Sequence, residues 1–361
     1  MLDLSALSES YGDLALHAFF GALTGVVLGF AGQRSTFCLR SAMVELARGH
    51  ARRRFSIWLF AFAAAIASVQ AAVLAGWFDA GAARIMTQPG TLSGAIVGGT
   101  LFGCGMVMTR GCSGRLLILA STGNLRSVTA GLVFAITVQF TMFGVLAPAR
   151  RAIAGLWMTP GETGNIDLLA ATGVGPLGGL VLGLVLTALA AWLAVRAGVE
   201  MRMRFWAIVT GLAIAIGWLT TYALSNVAFD PVTVESATFS EPSANLLMTL
   251  LTGDAVASFS LGLIPGVVAG AFTGALVGGE LRLESYSTPA QMLRSMTGGA
   301  LMGFGGTLAG GCAIGAALTG TSIFTASAWL ALLFFFVGAW AGDWIFDRRA
   351  AQDHAPVHVQ R

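Results

Sequence analysis

Cys38, Cys112 and Cys312 stand in three short stretches of similar make-up, GQRSTFCLR (32–40), TRGCSGR (109–115) and AGGCAIG (309–315). A thiol is a small, soft, polarisable group that can donate a weak hydrogen bond, ligate a soft metal or attack as a thiolate. Arg34 and Arg40 bracket Cys38, and Arg110 and Arg115 bracket Cys112, whereas Cys312 has no arginine within ten residues. Arginines beside broken helices, whose N-termini offer free amides and the positive end of a dipole, would make an electropositive path for an anion. Gly111, Gly114, Gly310, Gly311 and Gly315 flank two of the thiols, where permissive backbone torsions would shape such breaks. These twelve residues are the candidate substrate pathway. A plainer reading stands beside it: the cysteines are buried small hydrophobes and the arginines mark the cytoplasmic ends of membrane segments. The fourth cysteine, Cys104, aligns with Phe304 and reads as packing.

The elements that must carry these residues show a repeat. Gly98–Cys112, GGTLFGCGMVMTRGC, returns as Gly298–Cys312, GGALMGFGGTLAGGC, with seven identities in fifteen ungapped positions, among them the cysteine. The two thiols are therefore expected close together near mid-membrane, about a pseudo-two-fold axis. A weaker echo links 25–29 to 266–270 and carries no argument, because charge gives those two segments the same direction.

The chain has 361 residues, 56% hydrophobic and 10% charged, with a mean hydropathy of +0.79. Soluble domains carry about 25% charged residues, so this is an all-α polytopic membrane protein. Its formal net charge is +3, every basic residue is arginine, and most of them lie at the ends of apolar runs. The positive-inside rule accounts for that charge without nucleic acid as a partner.

Nine stretches are long enough to cross at about 20 residues each: 14–46, 55–77, 94–121, 127–147, 174–195, 205–224, 255–279, 296–321 and 324–346. The first, third, seventh and eighth are glycine-broken. Irregular backbone in lipid is tolerated only where protein buries it or a polar cavity receives it, so the breaks should point to the centre. Arg48 to Arg54, Arg196 to Arg204 and Arg348–Arg349 place their loops inside, and the acidic 225–254 loop outside. The N-terminus is then periplasmic and the C-terminus cytoplasmic, with Arg150 and Arg151 discordant. The third segment runs inward and the eighth outward, an inverted repeat with halves at about 14–147 and 205–346 in one transport domain, followed by a mobile polar tail, 350–361.

No carboxylate sits mid-segment, so a carboxylate proton relay is poorly supported. His17, His50, His354 and His358 are peripheral in the sequence, giving no metal-ligand cluster and no cofactor.

GQRSTFCLRSAM, the GxGxxxxRGCSGR form of the Cys112 stretch and GGxLxGxGxxLxGGCxIG resemble the YeeE/YedE family of bacterial sulfur transporters over nearly all of the membrane region. That resemblance implies an hourglass-like helical bundle with pseudo-two-fold halves, inner-membrane uptake of thiosulfate or a related sulfur anion, and Cys38, Cys112 and Cys312 as pathway thiols. It carries no motif for 148–254, and it leaves room for a cytoplasmic sulfur-carrier protein as a partner beside membrane lipid. Neutral S–H donors suit a dianion, which a thiolate would repel, and weak bonds suit release. The alternatives are a channel or carrier for another small anion, a soft-metal transporter, and a membrane thiol enzyme.

Overall fold

The computed structural model describes residues 4–159, 164–253 and 256–348, and the tail at 350–361 lies outside them. After a short α1 (Leu4–Tyr11), α2 (Asp13–Ser35) and α3 (Leu39–Ala47) form one apolar stretch broken at 36–38. α4 (Arg53–Leu74) returns across the bundle, and a one-turn α5 (Arg84–Thr87) leads to α6 (Leu92–Thr109). A second break separates α6 from α7 (Ser113–Ser121), which is followed by α8 (Leu125–Met142) and the short α9 (Ala147–Ala154) and α10 (Leu168–Thr172). The rest of the chain runs through α11 (Gly175–Arg196), α12 (Met201–Ser225), α13 (Ser240–Thr252), α14 (Phe259–Gly278) and α15 (Pro289–Leu308). A third break and a π-helical turn, Gly315–Gly320, then precede α16 (Ala326–Gly342) and a closing π turn, Asp343–Arg348.

Among the described residues, eight helical stretches are long and apolar enough to span a bilayer. α15, which carries the start of the eighth expected stretch, 296–321, is not among them; it is less apolar, with Gln291, Arg294, Thr297 and Thr307 among its 20 residues. It lies antiparallel along α6. A side-chain carbon built at Gly98 would meet the Gly305 carbonyl at 2.5 Å and one at Gly305 the Gly98 carbonyl at 2.6 Å; Gly105 and Gly298 oppose each other in the same reciprocal way. Small residues there allow backbones to touch, which is how helices without a hydrophobic driving force between them associate in lipid.

The same exchange relates their neighbours. Gly99 and Gly103 of α6 pack on the backbone at Ala331 and Phe335 of α16, while Gly299 and Gly303 of α15 pack on Ala130 and Phe134 of α8. The glycines are offset by 200 residues and their partners by 201. The extra residue is taken up in the π turn Gly315–Gly320, the element that stands where the other half has the regular helix α7, and single insertions of this kind are what π turns accommodate.

α2 packs along α14 with parallel register, Gly21, Gly25 and Gly29 facing Phe259, Leu263 and Val267, in agreement with the direction that charge assigns. α12 packs on α4, with Gly211 against Ala61 and the two N-terminal ends joined by Arg53 and Glu200 at 4.0 Å. α11 covers α4 from outside and leaves most of its own surface exposed.

The polar stretch after α12 departs from its reading as an outer loop. Residues 226–239 run extended back into the bundle, where Val234, Glu235, Ser236, Ala237 and Phe239 are buried, and α13 then packs on α8 and α14. Hydrogen bonds explain how this backbone tolerates burial. Thr221 Oγ1 donates to the Glu235 carbonyl at 2.8 Å, Ser236 Oγ to the Ile214 carbonyl at 2.7 Å, and Thr319 Oγ1 to the Ala237 carbonyl at 2.6 Å.

Candidate functional site

All three candidate pathway cysteines occupy one local motif. Two residues before each stands a residue in the left-handed region: Thr36 (φ 54°), Arg110 (φ 59°) and Gly310 (φ 79°). Each cysteine carbonyl then accepts the first i+4 hydrogen bond of the next helical segment, from Ala42, Leu116 and Ala316. The amide three residues on faces the sulfur: Gly315 N–H donates to Cys312 Sγ at 3.5 Å, and the Ser41 and Arg115 amides face Cys38 and Cys112. Three helix N-termini, with their unsatisfied donors and positive dipole ends, therefore open at thiols. The αL position explains the glycine at 310, and Arg110 takes the same torsion at the end of α6 at the cost attached to a side chain there.

Cys112 lies beside Cys38, with the two thiols side by side and the Leu39 amide also facing Cys112. Its neighbour is thus the thiol of the first break, where the repeat alone suggested Cys312. Cys312, fully buried, receives the Phe239 N–H at 3.3 Å and lies 4.0 Å from Thr238 Oγ1. The breaks at 112 and 312 meet through apolar groups: a side-chain carbon at Gly114 would reach the Phe239 ring at 2.9 Å and Ile314 Cγ1 at 3.2 Å. Phe239 and Ile314 are both buried. They pack against Gly114, two residues past Cys112, while the Phe239 amide faces Cys312.

On the Cys312 side lies a cavity of about 370 Å³, lined by Met142 at the end of α8, Trp218 of α12 and the start of α13. Gly310, Gly311, Gly315 and Thr238 line it too, and its charged groups are Arg84, Arg150, Glu235 and Glu241. Arg84 lies 2.8 Å from Glu241 and 3.7 Å from the buried Glu235. Burial pushes the Glu235 carboxyl up to about 7; the Arg84 guanidinium opposes that and Glu241 adds to it. Trp218 Nε1 and Ser240 Oγ, on buried side chains of the same wall, have no hydrogen-bond partner. Buried donors are normally satisfied, so these two suit a ligand that brings acceptors.

On the Cys38–Cys112 side, Arg115 donates to Gln33 Oε1 at 3.1 Å, and Gln33 donates to Glu280 at 2.6 Å. Arg34 lies 3.8 Å from the same carboxylate, and Arg54 donates to Thr36 at 3.0 Å. Arg115 is thereby held near the thiols, Arg34 is turned to Glu280 and the Gly274 carbonyl of α14, and Arg110 is exposed. Arg40 points elsewhere. It pairs at 2.9 Å with Asp347, which also takes Arg294 at 2.6 Å. Arg48, at the end of α3, pairs at 2.5 Å with the fully buried Asp343, which also takes Arg348. Two carboxylates of the closing π turn thus hold α3, and Cys38 with it, against α16.

Gly111 and Gly311 precede their cysteines directly, in both cases tucked against the following helical turn. Cys104 is half-buried between α6 and α16, near Gly342 and away from the breaks. Sequence reasoning did not single out Gln33, Arg84, Arg150, Trp218, Glu235, Thr238 or Phe239. The discordant charge of Arg150 was a signal for one of them.

Residues 34–341 match the family described as Sulphur transport. The chain is 28% identical over 352 residues to the thiosulfate transporter TsuA of Escherichia coli (strain K12), covering 90% of this chain and 93% of that protein. It is also 28% identical over 341 residues to the thiosulfate transporter TsuA of Spirochaeta thermophila, covering 91% of this chain and 99% of that one. With three thiol-capped breaks in a helical membrane bundle and a match across most of its length, the chain belongs to the Sulphur transport family, a family of transport proteins and not of enzymes.

Proposed function

We propose that this protein takes up thiosulfate, or a closely related inorganic sulfur anion, across the bacterial inner membrane, passing it from Cys312 to the Cys38–Cys112 pair by S–H hydrogen bonds. The observation that carries this reading is the placement of the thiols: each stands at the start of a helical segment whose first i+4 hydrogen bond its carbonyl accepts, and the buried Phe239 and Ile314 side chains, which we read as a seal, pack beside Gly114 next to the inner pair. Helix N-termini favour the charged oxygens of the anion. The polarisable thiols suit its terminal sulfur, and weak multi-site contacts allow it to leave. The names of the two relatives supply the substrate.

The cavity side is the periplasmic side in this reading. Arg48, Arg52, Arg53 and Arg54, and Arg196 to Arg204, stand at the opposite ends of the helices, with Arg282, Arg294 and Arg348, and this concentration supports reading that face as cytoplasmic. The N-terminus is then outside, and a cytoplasmic sulfur-carrier protein would receive the product at the Arg115–Gln33–Glu280 mouth. Labelled-thiosulfate uptake by cells lacking other routes tests the assignment. Accumulation that disappears with Cys312→Ala and Cys112→Ala at matched membrane abundance is the expected result, and near-normal uptake by both variants overturns the thiol path.

A further inference from the structure

The two thiol sites are related by the offset that aligns Cys112 with Cys312. Leu39 presents its amide to Cys112 Sγ, and Phe239, 200 residues later, donates its amide to Cys312 Sγ at 3.3 Å. The residue before each amide completes the site. In one half it is Cys38, beside Cys112; in the other it is Thr238, whose Oγ1 is 4.0 Å from Cys312 Sγ. One site therefore offers two thiols and the other a thiol and a hydroxyl.

We propose that Thr238 occupies the fourth pathway position and is the specificity-determining residue of the outer site, its hydroxyl binding an oxygen of the sulfur anion while Cys312 meets the sulfur. The inference deepens the thiosulfate reading and rests on it. A hydroxyl is a harder and stronger hydrogen-bond donor than a thiol, so a mixed pair orients an ion that is oxygen at one end and sulfur at the other. A pair of thiols cannot make that distinction.

Three further observations place the oxygens at this site. Thr238 is half-exposed and lines the 370 Å³ cavity, so it meets the ion before the seal does. Trp218 Nε1 and Ser240 Oγ, the unpartnered buried donors, line the same wall. Gly315 packs directly on Thr238, where a side-chain carbon would collide with Thr238 Oγ1 and meet Cβ at 2.9 Å. The corresponding position in the other half is Arg115. Glycine at 315 therefore leaves the Thr238 hydroxyl its place beside Cys312, and the outer site has no counterpart of the guanidinium at the inner one.

The test measures KM and maximal rate of labelled-thiosulfate uptake in Thr238→Val and Thr238→Ser at matched membrane abundance. Losing a hydrogen bond to a charged ligand should raise KM about tenfold in Thr238→Val with a smaller change in maximal rate, and Thr238→Ser should stay within about twofold of the parent. An unchanged KM in Thr238→Val overturns the inference. So does equal impairment of the valine and serine variants, which marks a packing role for the methyl group. If the parent protein itself takes up no thiosulfate, the substrate reading falls and takes this inference with it; an active parent with an indifferent Thr238→Val sinks the inference alone.

Discussion

The Phe239 N–H points at Cys312 Sγ from 3.3 Å, while the ring of the same residue closes on Gly114, two residues past Cys112. One residue therefore serves as backbone donor to Cys312 and, in the proposed path, as the apolar barrier before the Cys38–Cys112 pair. Phe239→Ala removes the ring and keeps the amide. It should open a leak for small anions such as iodide in sealed vesicles, at a stability cost of about 3 kcal/mol. Vesicles as tight as those of the parent protein would show that the seal lies elsewhere.

Cys112→Ser and Cys312→Ser should leave folded protein in the membrane and largely abolish thiosulfate uptake. The hydroxyl is a shorter, harder partner for sulfur, and it leaves a small void where contacts are lost. If the thiols only pack, serine instead destabilises through an ill-matched polar group and Cys→Ala remains active. Cys104→Ala, at the α6–α16 contact, serves as the silent control. Uptake and membrane abundance measured together separate the two cases.

Arg115 reaches the thiol pair through charge and through its bond to Gln33. Arg115→Gln should lower uptake more than Arg115→Lys, which retains the charge but loses the planar fork. Equal losses in initial rate would assign the residue to topology or packing.

Glu235 should make the protein pH-sensitive. Its folded value of about 7 is above the 4.5 of a free carboxyl, so the fold favours the protonated form, and the stability this provides is full below about pH 4.5 and is lost as pH rises through about 7. Thermal unfolding in detergent should show that decline for the parent protein. In Glu235→Gln the component should vanish, and an unaltered pH profile in that variant would exclude Glu235 as its source.

Asp343→Asn should act on folding and not on affinity. The carboxylate is fully buried between Arg48 and Arg348, and breaking a buried pair costs about 3–5 kcal/mol when a charge is left unmatched; the partly exposed arginines soften this toward the lower end. The expected outcome is a lower yield and unfolding temperature with KM for uptake near that of the parent.

Much of the site was legible in the sequence because its rarest residue type marked it: three cysteines in glycine-broken apolar runs pointed to three breaks, and the repeat gave α6 and α15 opposite directions. The pairing of Cys38 with Cys112 was hidden, since it depends on how α3 folds back, and nothing in either motif encodes the other. Thr238 and Phe239 were hidden for another reason. Their stretch carries Asp230, Glu235 and Glu241 without arginine, which reads as an outer loop, and only serine and threonine hydroxyls bonding to its carbonyls let it enter the bundle. The second half also has threonine where the first has cysteine, so a search for matching thiols passes over it. Arg40 illustrates the opposite case: its neighbourhood to Cys38 in sequence suggested a role in the path, and in space its side chain pairs with Asp347.

The reciprocal glycine contacts of α6 and α15 bear on how such a protein can move. With carbonyls of one helix seated on the glycines of the other at Gly98, Gly105, Gly298 and Gly305, and the side chains of Leu101, Met108, Thr109 and Met302 packed beside them, the central pair is a close-packed spindle. Large rocking of one half against the other would have to break that backbone contact. The smaller units left to shift are the breaks at 36–38, 110–112 and 310–312, each a few residues long and opened by a left-handed torsion. Motion of that size would suit the proposed passage of one small ion past a single aromatic ring, with the bulk of the bundle standing still around it.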